Sequence, residues 1–103
     1  MRLGDMYLFN MENPTRAHML VSGRVQGVFF RENTRKIANE LEVFGWVRNL
    51  LDGRVEVVAE GEKEKVKRLV EWAKEGPPSA NVESLDLKWK KYQGDFDEFE
   101  VKY

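Results

Sequence analysis

The 103-residue sequence predicts an α+β fold, a two-layer sandwich in which two helices cover one face of an antiparallel sheet. Length is the first observation, because chains of about 100 to 150 residues usually form one domain with one core. The second is that two segments repeat apolar residues at helical spacing, and the third is that short segments around them have the character of strands. With 42% hydrophobic residues, the chain can fill one small core.

Residues 1–17 are predicted to be an N-terminal extension, and residues 18–103 the folded domain. The extension has a mixed composition and ends in the turn-prone group Asn13-Pro14-Thr15. Residues 6–9 are candidates for an added edge strand, and Met11 is a plausible alternative start of the chain.

The first strand is predicted over residues 18–22 and ends at Gly23. The first helix is predicted to begin near Phe30 and to end before Gly45. The residues of its buried side recur at helical spacing, and they are Phe30, Thr34, Ile37, Ala38 and Leu41.

A β-hairpin is predicted after the first helix. Its strands cover residues 46–50 and 54–60, and Leu51-Asp52-Gly53 joins them. Asp-Gly is a strong hairpin signal because both turn positions tolerate positive φ. Alternation in the second of these strands predicts one buried face and one wetter face, through Val55, Glu56, Val57, Ala59 and Glu60.

The second helix is predicted over residues 62–74, where apolar residues at i, i+3, i+4 and i+7 begin with Val66. Gly76-Pro77-Pro78 ends it. Two strands with one apolar face follow, around residues 85–90 and 98–103. This order is the βαββαβ arrangement of a ferredoxin-like fold, with a final strand added.

Composition excludes several classes of function. Seventeen Lys and Arg against eighteen Asp and Glu give a net charge of −1, so no global field favours nucleic acid or an anionic membrane. The absence of cysteine excludes disulfides, iron–sulfur clusters and a cysteine nucleophile, and a single histidine excludes a multi-histidine metal centre. Apolar runs are far shorter than the roughly 20 residues that span a bilayer, and no signal-peptide pattern is present, so we expect a cytoplasmic protein.

The segment between the first strand and the first helix is a candidate anion-binding loop. It carries Gly23 and Gly27, and Arg31 follows in the first turn of the helix. Backbone N–H groups in a glycine-containing turn can point at one anion, and a helix N-terminus adds unpaired donors and a positive partial charge. Arginine adds donors that match phosphate oxygens. On this pattern alone, an ordinary tight turn with a solvated Arg31 remains the alternative.

Three motifs point to one family. The stretch GRVQGVFFR at residues 23–31 resembles the signature of the acylphosphatase family nearly letter for letter, and so does GWVRN at residues 45–49. GPPSA at residues 76–80 is a third segment similar to that family, and the resemblance covers residues 18–103. It implies a ferredoxin-like fold and the hydrolysis of acyl phosphates to a carboxylate and inorganic phosphate, without a metal or a cofactor.

The resemblance also implies roles for individual residues. The catalytic arginine of the family falls on Arg31, and its catalytic asparagine falls on Asn49. The amides that bind the substrate phosphate fall on the loop residues Val25, Gln26, Gly27, Val28, Phe29 and Phe30. This chain departs from the family at Phe29, where cysteine or glycine is frequent, and at Leu50, where threonine or another small polar residue is frequent. Neither departure removes a group that the reaction requires.

The reaction is feasible with these residue types. Its leaving group is a carboxylate whose conjugate acid has a pKa of about 4, so no general acid is needed at neutral pH. What remains is to hold the phosphoryl group, neutralise its oxygens and orient a water, for which amides, Arg31 and Asn49 are suited. Asn49 can hold the water but is no strong base, so the family's scheme lets the substrate's own oxygens take the proton.

Other interpretations stay open at this point. Arg31 can simply pair with Glu32 or Glu62, and Asn49 can simply support the hairpin. His18 lies outside the motifs and is expected to be structural. At the level of function, the alternatives are a non-catalytic phosphate-binding module and, with less support, a ferredoxin-like RNA-binding domain. The leading hypothesis predicts a monomer that binds only a small acyl phosphate and inorganic phosphate, with no nucleic acid and no membrane.

Overall fold

A computed structural model describes residues 12–103 of the chain. Within these residues, two helices and five strands follow one another in the predicted order. They are β1 (Pro14–Arg24), α1 (Phe30–Leu41), β2 (Phe44–Asn49), β3 (Val55–Glu62), α2 (Lys63–Ala73), β4 (Asn81–Lys91) and β5 (Phe99–Lys102). The strand considered at residues 6–9 and the alternative start at Met11 lie outside the described residues. Strand β1 begins at Pro14, four residues before its predicted start, because residues 14–17 pair with the end of β3.

The strands form one sheet in the order β4-β1-β3-β2-β5. Neighbouring strands are antiparallel except at one edge, where β5 runs parallel to β2. The sequence left the place of the fifth strand in the predicted antiparallel sheet open, and this strand forms the one parallel pair among the described residues. The reason is that β4 and β5 lie at opposite edges and cannot form a hairpin, so the chain crosses the sheet and β5 enters in the direction of β2.

The core lies between one face of the sheet and the two helices, as the alternation predicts. Val55, Val57 and Ala59 of β3 are fully buried there. Their partners are mostly small and branched side chains of β1, β2 and the helices. The polar side chain of Thr34 is also fully buried, and its hydroxyl donates to the carbonyl oxygen of Phe30 at 2.7 Å. Other large, fully buried side chains among the described residues are Phe30, Met19, Leu69, Val21, Val25, Val43, Val47 and Val66.

The opposite face of the sheet is less open than predicted. Glu60 was expected on a solvent-exposed face of the sheet, but only 2% of this residue is exposed. The connection between β4 and β5 covers it, since the backbone N–H groups of Gln93 and Asp95 donate to the Glu60 carboxylate at 2.7 and 3.1 Å. Arg16 Nη1 lies 3.4 Å from the same carboxylate. A buried carboxylate is tolerated when its oxygens are satisfied in this way.

The connection between β4 and β5 is short for the distance that it bridges. The two edge strands lie four strand spacings apart, about 19 Å, and the seven residues that join them reach about 26 Å when fully extended. Residues 92–98 are therefore drawn across the end of the sheet, over β3. Glu60 holds their midpoint and so fixes where β5 enters.

Two motif glycines are required by close contacts. Gly45 of the GWVRN motif has φ of 146°, and a β-carbon there would overlap the carbonyl oxygen of Val58. Gly76 of the GPPSA motif has φ of 70°, and a β-carbon there would lie 2.7 Å from Cε2 of Phe30. The segment after α2 thus packs directly against the residue that begins α1.

Candidate functional site

The loop between β1 and α1 has a conformation that few sequences adopt. Gly27 and Phe29 both have left-handed backbone angles, with φ of 73° and 64°. Glycine adopts this region freely, whereas a bulky residue seldom does. Within residues 12–103, the N–H groups of residues 26–29 have no hydrogen-bond acceptor. Together with the unpaired amides of a helix's first turn, they form a row of free donors.

Side chains of the loop anchor it to the core and to the β2–β3 hairpin. Val25 and Val28 are buried in the core, and so is Phe30, whose ring centroid lies 5.4 Å from that of Trp72. Gln26 Nε2 donates to the carbonyl oxygens of Leu50 and Arg54 at 2.7 and 3.0 Å. The Gln26 side chain therefore ties the loop to the β2–β3 hairpin.

Arg31 is oriented by the end of β5. Its Nη1 donates to the carbonyl oxygen of Lys102 at 3.3 Å, and its Cζ lies 4.7 Å from the centroid of the Tyr103 ring. The two acidic residues considered as its partners are engaged elsewhere. Glu32 pairs with Arg35 at 2.7 Å, and Glu62 lies 3.8 Å from Lys65.

Asn49 ends strand β2 on the face that carries the helices. Its Oδ1 is buried and has no hydrogen-bond partner among the described residues. The hairpin itself is closed by Leu50, whose N–H donates to the carbonyl oxygen of Arg54 at 2.8 Å and whose carbonyl accepts from Gly53 at 3.2 Å. A buried acceptor left unsatisfied is costly, so this oxygen is poised for a ligand or a water.

These residues meet at one cavity of about 220 Å³. Arg31, Asn49 and four of the six loop residues predicted to bind phosphate line it, namely Val25, Gly27, Phe29 and Phe30. The other two, Gln26 and Val28, do not line it, since one side chain is turned to the hairpin and the other to the core. Their backbone amides still belong to the loop.

Sequence reasoning missed two residues of this cavity, Glu32 and Tyr103. The alternation of Phe99, Val101 and Tyr103 places Tyr103 on the helix side of its strand. The alternation does not reveal that β5 lies beside β2. This pairing is what brings Tyr103 over Arg31.

A separate charged cluster lies on the opposite face of the sheet. Glu56 is hydrogen-bonded to His18 at 2.7 Å and to Arg48 at 2.6 Å. Burial alone would raise the pKa of Glu56, but these two hydrogen bonds and the charge of Arg48 outweigh it and hold the pKa below its usual range. His18 therefore has a structural partner away from the cavity.

Neither a metal cluster nor a membrane span is found in the described part of the chain. Residues 12–103 contain no group of three or more His, Asp or Glu side chains arranged to hold a metal ion. No helix among them is long and apolar enough to cross a bilayer.

Comparisons with known proteins agree with the motifs. The family model for acylphosphatases matches residues 17–101. The chain is 53% identical over 87 residues to an acylphosphatase of Pyrobaculum calidifontis, covering 84% of this chain and 79% of that protein. Its fold is similar to that of an acylphosphatase from Coxiella burnetii, with a TM-score of 0.83, 48% identity and coverage of 87% of this chain and 94% of the other. For an acylphosphatase from Bacillus subtilis the TM-score is 0.83, the identity 34%, and the coverage 86% and 99%.

Proposed function

The chain belongs to the acylphosphatase family, and we propose that it hydrolyses acyl phosphates to a carboxylate and inorganic phosphate at the cavity of Arg31 and Asn49. One observation carries the proposal. Asn49, whose buried Oδ1 has no partner among residues 12–103, lines the same cavity as a guanidinium and a row of free amides. This combination offers an acceptor for a water beside donors for a phosphoryl group.

The phosphoryl group binds to the loop amides and Arg31 in this proposal. The amides of residues 25–30 and the start of α1 point donors and a positive partial charge at one place. The guanidinium adds a permanent charge and planar donors for the equatorial oxygens. Lys102 and Tyr103 support this role because they fix the orientation of the guanidinium before a substrate arrives.

A water held by Asn49 then attacks phosphorus in line. Its oxygen forms the new P–O bond, and the bond between phosphorus and the acyl oxygen breaks, so that the carboxylate leaves with the electron pair. The water's proton passes to an oxygen of the phosphoryl group itself, since the Asn49 amide accepts a hydrogen bond but is no base. Because the departing carboxylate is weakly basic, the step needs no general acid.

We propose further that the protein acts as a cytoplasmic monomer on small molecules alone. A single chain supplies every group that the reaction uses, which supports a monomer. Around Trp46, the opposite sheet face offers poor ground for RNA, since Arg48 is bound to Glu56 and both Arg48 and Lys102 lie over the Trp46 ring. A sheet that binds RNA needs accessible aromatic rings and unpaired cations.

The test is steady-state hydrolysis of benzoyl phosphate in EDTA by the wild type, Arg31→Ala and Asn49→Ala. Each variant is expected to lose at least about 100-fold in kcat, the usual cost of removing one preorganised polar group. Arg68→Ala and Asn39→Ala remove exposed side chains of the same types from helix surfaces and serve as matched controls with wild-type rates.

Two results would contradict the proposal. Near-normal turnover by folded Arg31→Ala or Asn49→Ala would refute the assignment of that residue. A folded wild type that binds inorganic phosphate but hydrolyses no acyl phosphate would establish the non-catalytic phosphate-binding module instead.

A further inference from the structure

Phe29 combines exposure with an unfavourable backbone. The residue is 74% exposed, and its backbone angles, φ of 64° and ψ of 24°, lie in the left-handed region. A large apolar residue gains nothing from either property, because water surrounds the ring and the backbone is strained. Within residues 12–103, no aromatic ring or cation stacks on it. Contacts within the described fold therefore do not account for the phenyl group.

The position of Phe29 suggests what the ring contacts. It lines the cavity that holds Arg31 and Asn49. A second groove adjoins this cavity on the hairpin side and is lined by residues 48–52 and Tyr103. Leu51, a fully exposed apolar residue, lines that groove, whereas Phe29 does not. The two exposed apolar side chains therefore line different spaces next to Asn49, Leu51 the groove and Phe29 the cavity.

In-line attack places the water and the acyl group on different sides of the phosphoryl group. Attacking and leaving oxygens lie on opposite sides of phosphorus. A water held by Asn49 approaches from the β2–β3 hairpin, so the acyl group must lie on the side away from Asn49. Phe29, at the N-terminus of α1, lines the cavity but not the groove on the hairpin side, so of the two exposed apolar side chains it is the one separated from the hairpin.

We propose that Phe29 is the acyl-binding residue of the site and that the preferred substrates carry an uncharged apolar acyl group, aromatic or branched. This inference rests on the proposed acyl phosphate hydrolysis. An exposed ring at the rim of a polar cavity gains favourable contacts by covering an apolar group of the substrate. Besides Arg31, which binds the phosphoryl group in the proposed function, the described lining of the cavity holds no cation for an acyl group with its own carboxylate.

The experiment compares kcat/KM for benzoyl phosphate with kcat/KM for acetyl phosphate. The variant is Phe29→Asn, because asparagine tolerates the left-handed backbone and removes the ring. The amide of residue 29 belongs to the phosphate-binding loop, so both substrates respond to any change of the backbone, and this effect cancels in the ratio. Phe29→Tyr keeps a ring, and Leu51→Ser removes another exposed apolar group, on the hairpin side.

We expect the benzoyl-to-acetyl ratio to fall about three- to tenfold in Phe29→Asn, mainly through KM for benzoyl phosphate. The ratio should stay within about twofold of wild type in Phe29→Tyr and Leu51→Ser. An unchanged ratio in Phe29→Asn overturns the inference while leaving acyl phosphate hydrolysis intact. A fall in Leu51→Ser as large as in Phe29→Asn also overturns it, since the acyl group would then lie on the hairpin side. A wild type that hydrolyses neither substrate refutes the proposed function itself, and this inference with it.

Discussion

The guanidinium of Arg31 lies against the ring of Tyr103, with 4.7 Å between Cζ and the ring centroid. Tyr103 is itself 94% exposed, and its hydroxyl donates to Glu32 at 3.3 Å. The ring therefore contributes little to the core and covers the arginine instead. Because the same strand offers the Lys102 carbonyl to Arg31, the end of β5 determines where the positive charge of the site stands.

Removal of the Tyr103 ring is expected to weaken phosphate binding rather than the fold. An exposed cation–π contact contributes about 0.5–1 kcal/mol, which corresponds to about a two- to fivefold change in binding. Tyr103→Ala should raise KM for benzoyl phosphate and the inhibition constant of inorganic phosphate by this factor. Tyr103→Phe keeps the ring and should match the wild type. Equal weakening in both variants would assign the effect to the hydroxyl and Glu32.

Gln26 is expected to matter for stability as well as for activity. Its side-chain amide donates to two main-chain carbonyls of the hairpin, those of Leu50 and Arg54. Gln26→Ala should lower the free energy of unfolding by about 1–3 kcal/mol, because two partly buried acceptors lose their donor. Gln26→Glu should cost more, since a carboxylate would face the same carbonyls. Urea unfolding measures both, with Asn39→Ala, which removes an exposed amide side chain, as the control.

A wild-type unfolding curve for Gln26→Ala would contradict this account. It would mean that water replaces the amide at both carbonyls without loss, and that the loop is positioned by Val25, Val28 and Phe30 alone.

Substitution of Gly45 is expected to be among the most destabilising changes in the chain. A β-carbon at this position overlaps the carbonyl oxygen of Val58, and φ is 146°. Gly45→Ala should cost about 3 kcal/mol or more, from backbone strain and from the forced separation of β2 and β3. Gly53→Ala is the control, since φ there is also positive but no atom lies within 4 Å of the added carbon. It should cost only about 1 kcal/mol.

The result for Gly45→Ala is read from thermal and urea unfolding. Similar losses in Gly45→Ala and Gly53→Ala would show that the close approach of β2 to β3 relaxes without cost, contrary to the geometry.

Glu56 is expected to make part of the stability depend on pH. Its pKa in the folded protein lies below its usual value, held there against the effect of burial by hydrogen bonds from His18 and Arg48. A carboxyl whose pKa is lowered on folding stabilises the protein above its unfolded pKa of about 4.3, and this stabilisation is lost as pH falls through the folded pKa. Glu56→Gln should therefore be less stable at pH 7 and lose less on acidification.

The measurement is the free energy of unfolding in urea between pH 7 and pH 3. Glu100→Gln changes an exposed carboxyl on the same sheet face and is the matched control. Parallel pH profiles for the wild type and Glu56→Gln would refute the role of Glu56.

Local patterns carried most of the fold prediction. The helical spacing from Phe30 to Leu41 and the Asp52-Gly53 turn are properties of neighbouring residues, and the structure confirms the elements they predict. The burial of Glu60 and the parallel entry of β5 depend instead on a chain crossing that brings residues 33 and 35 positions apart together. No periodicity within a strand encodes that crossing.

The candidate site likewise contains residues that local sequence identifies and features that only the assembled fold reveals. Gly27 and Arg31 could be recognised as parts of a candidate anion-binding loop because they adjoin a helix start in the sequence. Asn49, taken alone, looked like part of a hairpin, and its proposed role came from the resemblance of GWVRN to a family motif. Its unsatisfied oxygen became visible only when the loop, β2 and β5 were assembled in space.

The short fifth strand allows the site to open locally while the rest of the protein stays folded. Among the described residues, β5 has four residues and pairs with β2 alone, whereas β1 and β3 each have neighbours on both sides. Short edge elements open at lower free energy than central strands, in fluctuations that leave the remaining structure intact. When β5 detaches, Arg31 loses its carbonyl partner and its covering ring together. Under the proposed role of Arg31, catalytic competence is therefore a property of a subset of the folded ensemble, and mild denaturant is expected to deplete that subset before the protein unfolds.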